Sequence, residues 1–221
     1  PQEQRCGVPV VMKPPTLSVA MTLNDRPWPV VERVLRSISE QAHNQVIVCL
    51  DRTPAALKEK LMTGPTWADS YPTIEGEPSW LSPVKAWNRA FEDVTSELTY
   101  CISSEVIQAP GNIARAKEIL ANQPAVLFGK AECSCGPDGR EVNWDGLAPG
   151  NLLVSAAHPR PLGFIMCLPT WLLRAIGGYD EAFMAGYWFD DDDFMMRLWQ
   201  QQVPFIFDDE ISGVHQHHER P

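Results

Sequence analysis

The chain contains no run of about 18 apolar residues, so the sequence predicts no membrane-spanning helix. It is also poor in positive charge. Eighteen Lys and Arg stand against 28 Asp and Glu, a formal net charge of −10, which argues against nonspecific binding to nucleic acid. That balance leaves anionic ligands open, because a single pocket can be positive or bridged by a metal. Zinc-knuckle spacing is missing as well: Cys133 and Cys135 are too close together, and no second pair follows. Cys49, Cys101 and Cys167 lie in apolar strand-like runs, where cysteine acts as a small hydrophobe. No secretory signal pattern is visible, so the thiols read as reduced and the setting as cytoplasmic. Internal repeats and low-complexity segments are absent from the sequence.

What is present is an ordinary globular composition, 44% hydrophobic and 21% charged over 221 residues, long enough for a substantial core. Residues 1–15 hold four prolines and read as an extended lead-in. Residues 16–23 (TLSVAMTL) read as a buried strand, broken by Asn24-Asp25-Arg26-Pro27. Val30, Val31, Val34, Leu35 and Ile38 recur at helical spacing up to Gln41, and residues 45–50 (QVIVCL) form a second strand ending at Asp51. Strand, helix, strand at this length is a βαβ unit with parallel strands, and such sheets bind ligands at the carboxyl ends of their strands. That places Asn24, Asp25, Arg26 and Asp51 on one edge.

Residues 55–62 predict a short helix, and residues 64–82, rich in Pro, Gly, Ser and Trp, predict a long loop. Behind Pro83, the spacing of Val84, Trp87, Ala90, Phe91 and Val94 predicts a helix. Residues 98–102 (LTYCI) form a third strand, followed by Ser103-Ser104-Glu105. A helix is expected from Pro110 to about Asn122, and a strand over 125–131. Gly136-Pro137-Asp138-Gly139 predicts a turn between antiparallel strands. Residues 144–160 read as irregular, and 163–168 (GFIMCL) as an apolar run. Pro169 opens a helix that Gly177-Gly178 ends. Residues 204–207 predict a short strand before Val214-His215-Gln216-His217-His218. The order is that of an α/β protein with a mixed sheet, parallel first and antiparallel later.

The densest chemical signal is Asp190-Asp191-Asp192-Asp193. Four adjacent carboxylates repel one another at neutral pH and need a helix amino end, a cation or water beside them. Phe194, Met195, Leu198 and Trp199 follow at helical spacing and Pro204 stops the pattern, so the run opens a helix. Asp190 can cap that helix, and Asp193 sits four residues before Arg197, a favourable pair. A carboxylate held at a positive helix end yet reachable from solvent is suited to accept a proton. A merely solvated acidic helix start is the plainer reading of the same residues.

In this order the motifs resemble those of GT-A fold inverting glycosyltransferases, the large family that includes bacterial polysaccharide synthases. Four segments carry the resemblance: Ser18-Val19-Ala20-Met21-Thr22-Leu23-Asn24, residues 46–51, Ala86-Trp87-Asn88-Arg89-Ala90, and Ile176-Gly177-Gly178-Tyr179-Asp180-Glu181 with Asp190-Asp191-Asp192-Asp193-Phe194 and Arg197. The resemblance implies a single GT-A domain over residues 1–221, with a nucleotide-sugar half at 16–105 and an acceptor and catalytic half at 106–221. The implied reaction moves a sugar from a nucleotide-diphosphate donor, a UDP-sugar, to a hydroxyl of a carbohydrate or other acceptor. Asp191 matches the family's general base. Thr22, Asn24, Asp51, Asn88 and Ser103 fall on the donor side, and Trp188 and Asp190 on the acceptor side.

One departure stands out. The family's third strand ends in Asp-x-Asp, which holds a divalent ion on the diphosphate. Here those positions are Ser103 and Glu105, one carboxylate lost and the other lengthened. Glu105 with His215 is then the implied ligand set for Mn²⁺ or Mg²⁺, with weakened affinity. Plainer roles exist for several of these residues: a turn start for Asp51, a polar helix position for Asn88, a His-rich tail for His215, burial for Trp188. A sugar-nucleotide-binding module with little or no turnover is the rival function. A nucleotidyltransferase ranks below both, because Asn24-Asp25-Arg26-Pro27 is not the Gly-rich basic loop that a triphosphate requires.

Overall fold

The structure, a computed structural model, describes residues 13–74, 82–133, 152–185 and 189–216. Its frame is a nine-stranded mixed sheet among those residues. Strand β1 (Leu17–Leu23) pairs in parallel with β2 (Gln45–Asp51) on one side and with β4 (Leu98–Ser103) on the other. The apolar runs that announced these strands have a structural cause. Leu17, Val19, Met21 and Leu23 pack into one core while Ala20, between them, packs into a second on the opposite face. A strand covered on both faces has no polar side to interrupt its run.

The first core is closed by α1 (Trp28–Ser39), α2 (Ala55–Thr63) and α4 (Asn112–Asn122). The second is closed by α3 (Val84–Glu92), α5 (Thr170–Ile176) and α6 (Phe189–Trp199). Helix α1 starts as its sequence dictates, with prolines at 27 and 29 supplying a fixed φ where an N–H is not needed. It lays Val31, Val34, Leu35 and Ile38 on the sheet, each essentially without exposure. Full burial of one such side chain contributes roughly 1.5–3 kcal/mol.

The antiparallel additions come later in the chain, as expected. β8 (Ile165–Pro169) pairs antiparallel with β4 and with β6 (Val126–Cys133). The sheet order is β3-β2-β1-β4-β8-β6-β9-β5, with β7 beside β6. Several elements differ from the sequence expectation. The long loop at 64–82 contains β3 (Thr73–Ile74), which pairs in parallel with Leu50 and Asp51 of β2. The stretch read as irregular contains β7 (Leu152–Val154). β5 (Val106–Gln108) was not foreseen, and β9 (Phe205–His215) runs far past the expected residues 204–207.

The reason β9 is long is pairing rather than propensity. It runs parallel to β6 and antiparallel to β5, and its acidic middle, Asp208 to Glu210, is absorbed by a register shift opposite Gly129 and Lys130. Helix α4 starts at Asn112 rather than Pro110, because Gly111 takes φ +89° at its N-cap. Trp199, expected on the apolar face of α6, is 65% exposed. The turn expected at 136–139 lies outside the described residues. Cys49, Cys101, Cys133 and Cys167 are free thiols, and burial pushes Cys49 up to about 12, so it stays protonated and inert. Among the described residues no helix is long and apolar enough to cross a membrane.

Candidate functional site

Three strands of the parallel half end on one edge, and the chain that follows each carries the polar groups. After β1 the short loop 24–26 is stopped by Pro27, which holds Arg26 over the end of β4. There Arg26 Nε donates to Glu105 Oε1, and Ser103 Oγ donates to Glu105 Oε2. Glu105 is buried, and its backbone oxygen accepts the Gln216 N–H at 2.9 Å. Gln216 is itself held from two sides: its amide donates to Val30 O at 3.0 Å and its carbonyl accepts from Arg33 Nε. Burial alone would raise the Glu105 pKa. The charge of Arg26, the hydrogen bonds from Ser103 and Arg26, and the nearby His215 outweigh that and hold it below the usual carboxylate value.

His215 reaches the same place because β9 ends beside β5, with His215 directly opposite Val106. It is buried, and its ring stands edge-on to Phe164 at 5.4 Å between centroids. Glu105 and His215, 110 positions apart in the chain (215 − 105), are therefore neighbours.

The acidic helix is assembled by the glycine loop. Gly177 takes φ +74° as the C-cap of α5, and Gly178 repeats it. Gly178 also needs to lack a Cβ, because one there would overlap Asn88 Oδ1. That close approach lets Asn88 bracket the next residue: Tyr179 N–H donates to Asn88 Oδ1 at 2.8 Å, and Asn88 Nδ2 donates to Tyr179 O at 2.9 Å. Arg197 Nη1 closes the loop from below, donating to Ile176 O at 2.8 Å and Gly178 O at 2.7 Å, while its Nε pairs with Asp193 at 2.7 Å. The expected Asp193–Arg197 pair thus also ties α6 to the carboxyl end of α5.

Tyr179 is clamped by rings. It stacks on Phe194 at 4.1 Å and 12° between planes, with Trp87 and Phe91 on its other contacts. Its hydroxyl emerges to donate to Asp191 Oδ1 at 3.2 Å. Burial and the charge of Asp190 push the Asp191 pKa from 3.8 up to about 6. The Tyr179 bond opposes the rise, and Asp192 adds to it. Asp190 lies within the first turn of α6 rather than before it, and accepts a hydrogen bond from Ser82 Oγ.

One short segment joins the two clusters. Phe164 O accepts the Ser103 N–H at 3.1 Å, and the Phe164 ring meets His215. A Cβ on the preceding Gly163 would stand 3.7 Å from Asp191 Oδ1 and 3.8 Å from Tyr179 Oη. Glu105, His215 and Asp191 are thereby grouped about Gly163 and Phe164.

The remaining predicted residues are placed as follows. Thr22 is half-buried in register with Cys49 and Ser103 at the strand ends. Asn24 Oδ1 accepts the Asp25 N–H at 2.7 Å. Asp51 is buried and held bidentately by Arg52 at 2.9 and 3.0 Å, with Arg52 itself at φ 51°. Asn88, expected on the donor side, has both ends of its amide engaged by the Tyr179 backbone. Trp188, His217 and His218 lie outside the described residues. Sequence reasoning assigned no role to Ser82, set Arg26 on the ligand-binding edge without a role of its own, and covered Gly163 and Phe164 only within the stretch 140–165 expected to govern acceptor choice. Only Arg26 gave a signal, as the lone basic residue in the loop after β1.

No protein-family model matches the chain, and no curated protein matches it significantly. Solved structures match it by shape. S. aureus TarS in complex with UDP-GlcNAc superposes with a TM-score of 0.71 at 14% identity, over 93% of this chain and 60% of that one. A mannosyltransferase, PcManGT from Pyrobaculum calidifontis, in complex with GDP-Man and Mn²⁺, gives 0.65 at 17% identity, over 94% of this chain and 59% of that one. This chain thus spans about three fifths of the length of the proteins it resembles. At such identities the likeness establishes the architecture: the chain has the GT-A fold.

Proposed function

We propose that this chain is an inverting glycosyltransferase domain that moves a sugar from a nucleotide-diphosphate donor, a UDP-sugar, to an acceptor hydroxyl. The observation that carries the reading is the grouping of Asp191 with the Ser103, Glu105 and His215 cluster on either side of Gly163 and Phe164. A hydroxyl is a weak nucleophile, and displacement at the sugar carbon needs a base on the face opposite the leaving diphosphate. Asp191 is that base. Raised to about 6, it is ionised at neutral pH yet holds a proton better than an ordinary carboxylate. Tyr179 aims it.

On the donor side, Thr22, Asn24, Asp51 and Ser103 line the nucleotide at the carboxyl ends of β1, β2 and β4. Asp190 and Trp188 belong to the acceptor side, and Asn88 positions the loop that carries Tyr179. Glu105 and His215 are the residues that would hold a divalent cation, Mn²⁺ or Mg²⁺. One carboxylate and one imidazole, adjacent across the β5–β9 pair, make a weak set, because both Glu105 oxygens already accept hydrogen bonds from Arg26 and Ser103, and diphosphate oxygens and water would have to complete the ion's shell. When bound, the ion would stabilise charge on the departing nucleotide. That PcManGT was solved with GDP-Man and Mn²⁺, and TarS with UDP-GlcNAc, supports this assignment.

The test is nucleotide release from a UDP-sugar panel with hydroxyl acceptors, with the product's anomeric configuration read by NMR. Asp191→Asn is expected to lower transfer by about 100-fold or more while leaving UDP binding in place. Transfer by Asp191→Asn at the parent rate sinks the base assignment. A second reading, a sugar-nucleotide-binding module, is favoured by Ser103 in place of an acid. Tight donor binding with neither transfer nor hydrolysis on any acceptor selects it.

A further inference from the structure

We propose that Arg26 is a built-in cation of the donor site: its guanidinium, seated on Glu105, binds the nucleotide's diphosphate, so that the nucleotide docks without a divalent ion. The inference rests on the glycosyltransferase reading and deepens it. Its basis is where charge is placed. A pair of acids at the end of β4 would confront an incoming diphosphate with two negative charges, and only a cation from solution could bridge them. Here the first position is Ser103, whose hydroxyl donates to Glu105, and the one remaining acid is already matched by Arg26. The donor therefore meets a neutral pair.

The Arg26 side chain is 16% exposed and that of Glu105 is 8% exposed, so the pair is largely withdrawn from water and its electrostatics are correspondingly strong. Nη1 is also anchored, donating to Asp25 O at 2.8 Å, which holds the guanidinium plane at the strand ends. A guanidinium carries five N–H donors in a planar fork, enough to serve Glu105 and a phosphate together, and it keeps its charge at any physiological pH. A second guanidinium stands one residue away: Arg33 holds Gln216, whose N–H is bonded to the Glu105 backbone. In a chain of net charge −10, Arg26 and Arg33 offset Glu105 and Arg52 offsets Asp51, so these paired groups leave no excess negative charge at the strand ends.

Arg26 and a metal ion also share a ligand. A cation held by Glu105 feels the guanidinium on the same carboxylate as a like charge, which weakens the ion's hold. Glu105→Gln removes a negative charge near the diphosphate in either role, so its effect in EDTA is read against the Arg26→Ala background. If Glu105 serves only a metal, any gain is the same with and without Arg26. If Arg26 is the phosphate ligand, the change also releases its fork, and most of the gain is lost in Arg26→Ala.

The experiment is calorimetry of the whole chain with UDP and with GDP, in EDTA and in Mn²⁺. The parent is expected to bind at least one of them in EDTA. Arg26→Ala should weaken that binding about tenfold or more, and Arg26→Lys by less, since the charge survives but the fork does not. Glu105→Gln should tighten it about threefold. Arg26→Ala with Glu105→Gln leaves no buried acid unpaired, so it should keep the parent's circular dichroism and remain a weak binder. The inference is overturned if the parent binds only in Mn²⁺, or if the double variant binds in EDTA as tightly as the parent. In either case the glycosyltransferase reading stands. Failure to bind either nucleotide in both media overturns that reading as well.

Discussion

Asn88 and Tyr179 are joined by a matched pair of hydrogen bonds, 2.8 Å from the Tyr179 N–H to the Asn88 carbonyl and 2.9 Å from the Asn88 amide to the Tyr179 carbonyl. The pair sits 91 positions apart in the chain and locks α3 to the loop between α5 and α6. Through Tyr179 it fixes where the Asp191 carboxylate points.

Asn88→Ala removes both bonds and leaves the Tyr179 backbone groups without their partner. The expected cost is about 1–3 kcal/mol in a urea melt. Transfer should fall while UDP affinity holds, because the damage is to the proposed base and not to the strand ends. Parent-like stability and turnover in this variant would remove Asn88 from the positioning role.

Gly177→Ala and Gly178→Ala share a left-handed backbone, φ +74° in both, but differ in surroundings. A Cβ at Gly177 meets nothing within 4 Å, so only the backbone cost of about 1–2 kcal/mol applies. At Gly178 the Cβ overlaps Asn88 Oδ1, and overpacking adds about 1–3 kcal/mol. Side-by-side thermal melts should rank Gly178→Ala clearly below Gly177→Ala; equal melting temperatures would contradict the bracket.

As the proposed base, Asp191 would link rate to pH, and its raised pKa links stability to pH. Its folded value of about 6 lies above its ordinary 3.8, so the folded chain holds that proton more tightly than the unfolded chain. The sign follows: its contribution favours folding below about 4 and is lost as pH rises through about 6. Transfer should rise over the same interval and level off above it. Tyr179→Phe removes a hydrogen bond that lowers the value, so the rising limb should move to higher pH. Asp191→Asn should melt above the parent at pH 7 and match it near pH 4. A rate limb unmoved in Tyr179→Phe would count against Asp191 as the titrating base.

Gly163 leaves the approach to Asp191 open. An alanine there makes ordinary contact at 3.7 Å from Asp191 Oδ1 and should fold and turn over. Valine adds a branched side chain in the same space. Gly163→Val is expected to cut kcat/KM for the acceptor about tenfold or more, with UDP affinity unchanged by calorimetry. Unimpaired acceptor turnover in the valine variant would place the acceptor elsewhere.

The central strands were legible because burial on both faces leaves a continuous apolar run, as in β1 and β2. The glycine loop and the acidic helix were legible for an equally local reason: two left-handed glycines and a carboxylate-rich first turn are written in neighbouring residues. β5 and most of β9 were not, since Asp208 to Glu210 lack the composition of a strand and are carried by the β6 pairing on either side of the register shift. Nor was the partner of Glu105. The sequence alone determined which acids are available and which segments are buried. Tertiary structure alone decided that Arg26 meets Glu105 across 79 positions and that Gly163 stands beside Asp191. Composition and period record the contacts a residue makes with its own element. Charge pairs and close approaches between elements depend on where the sheet brings distant strand ends together.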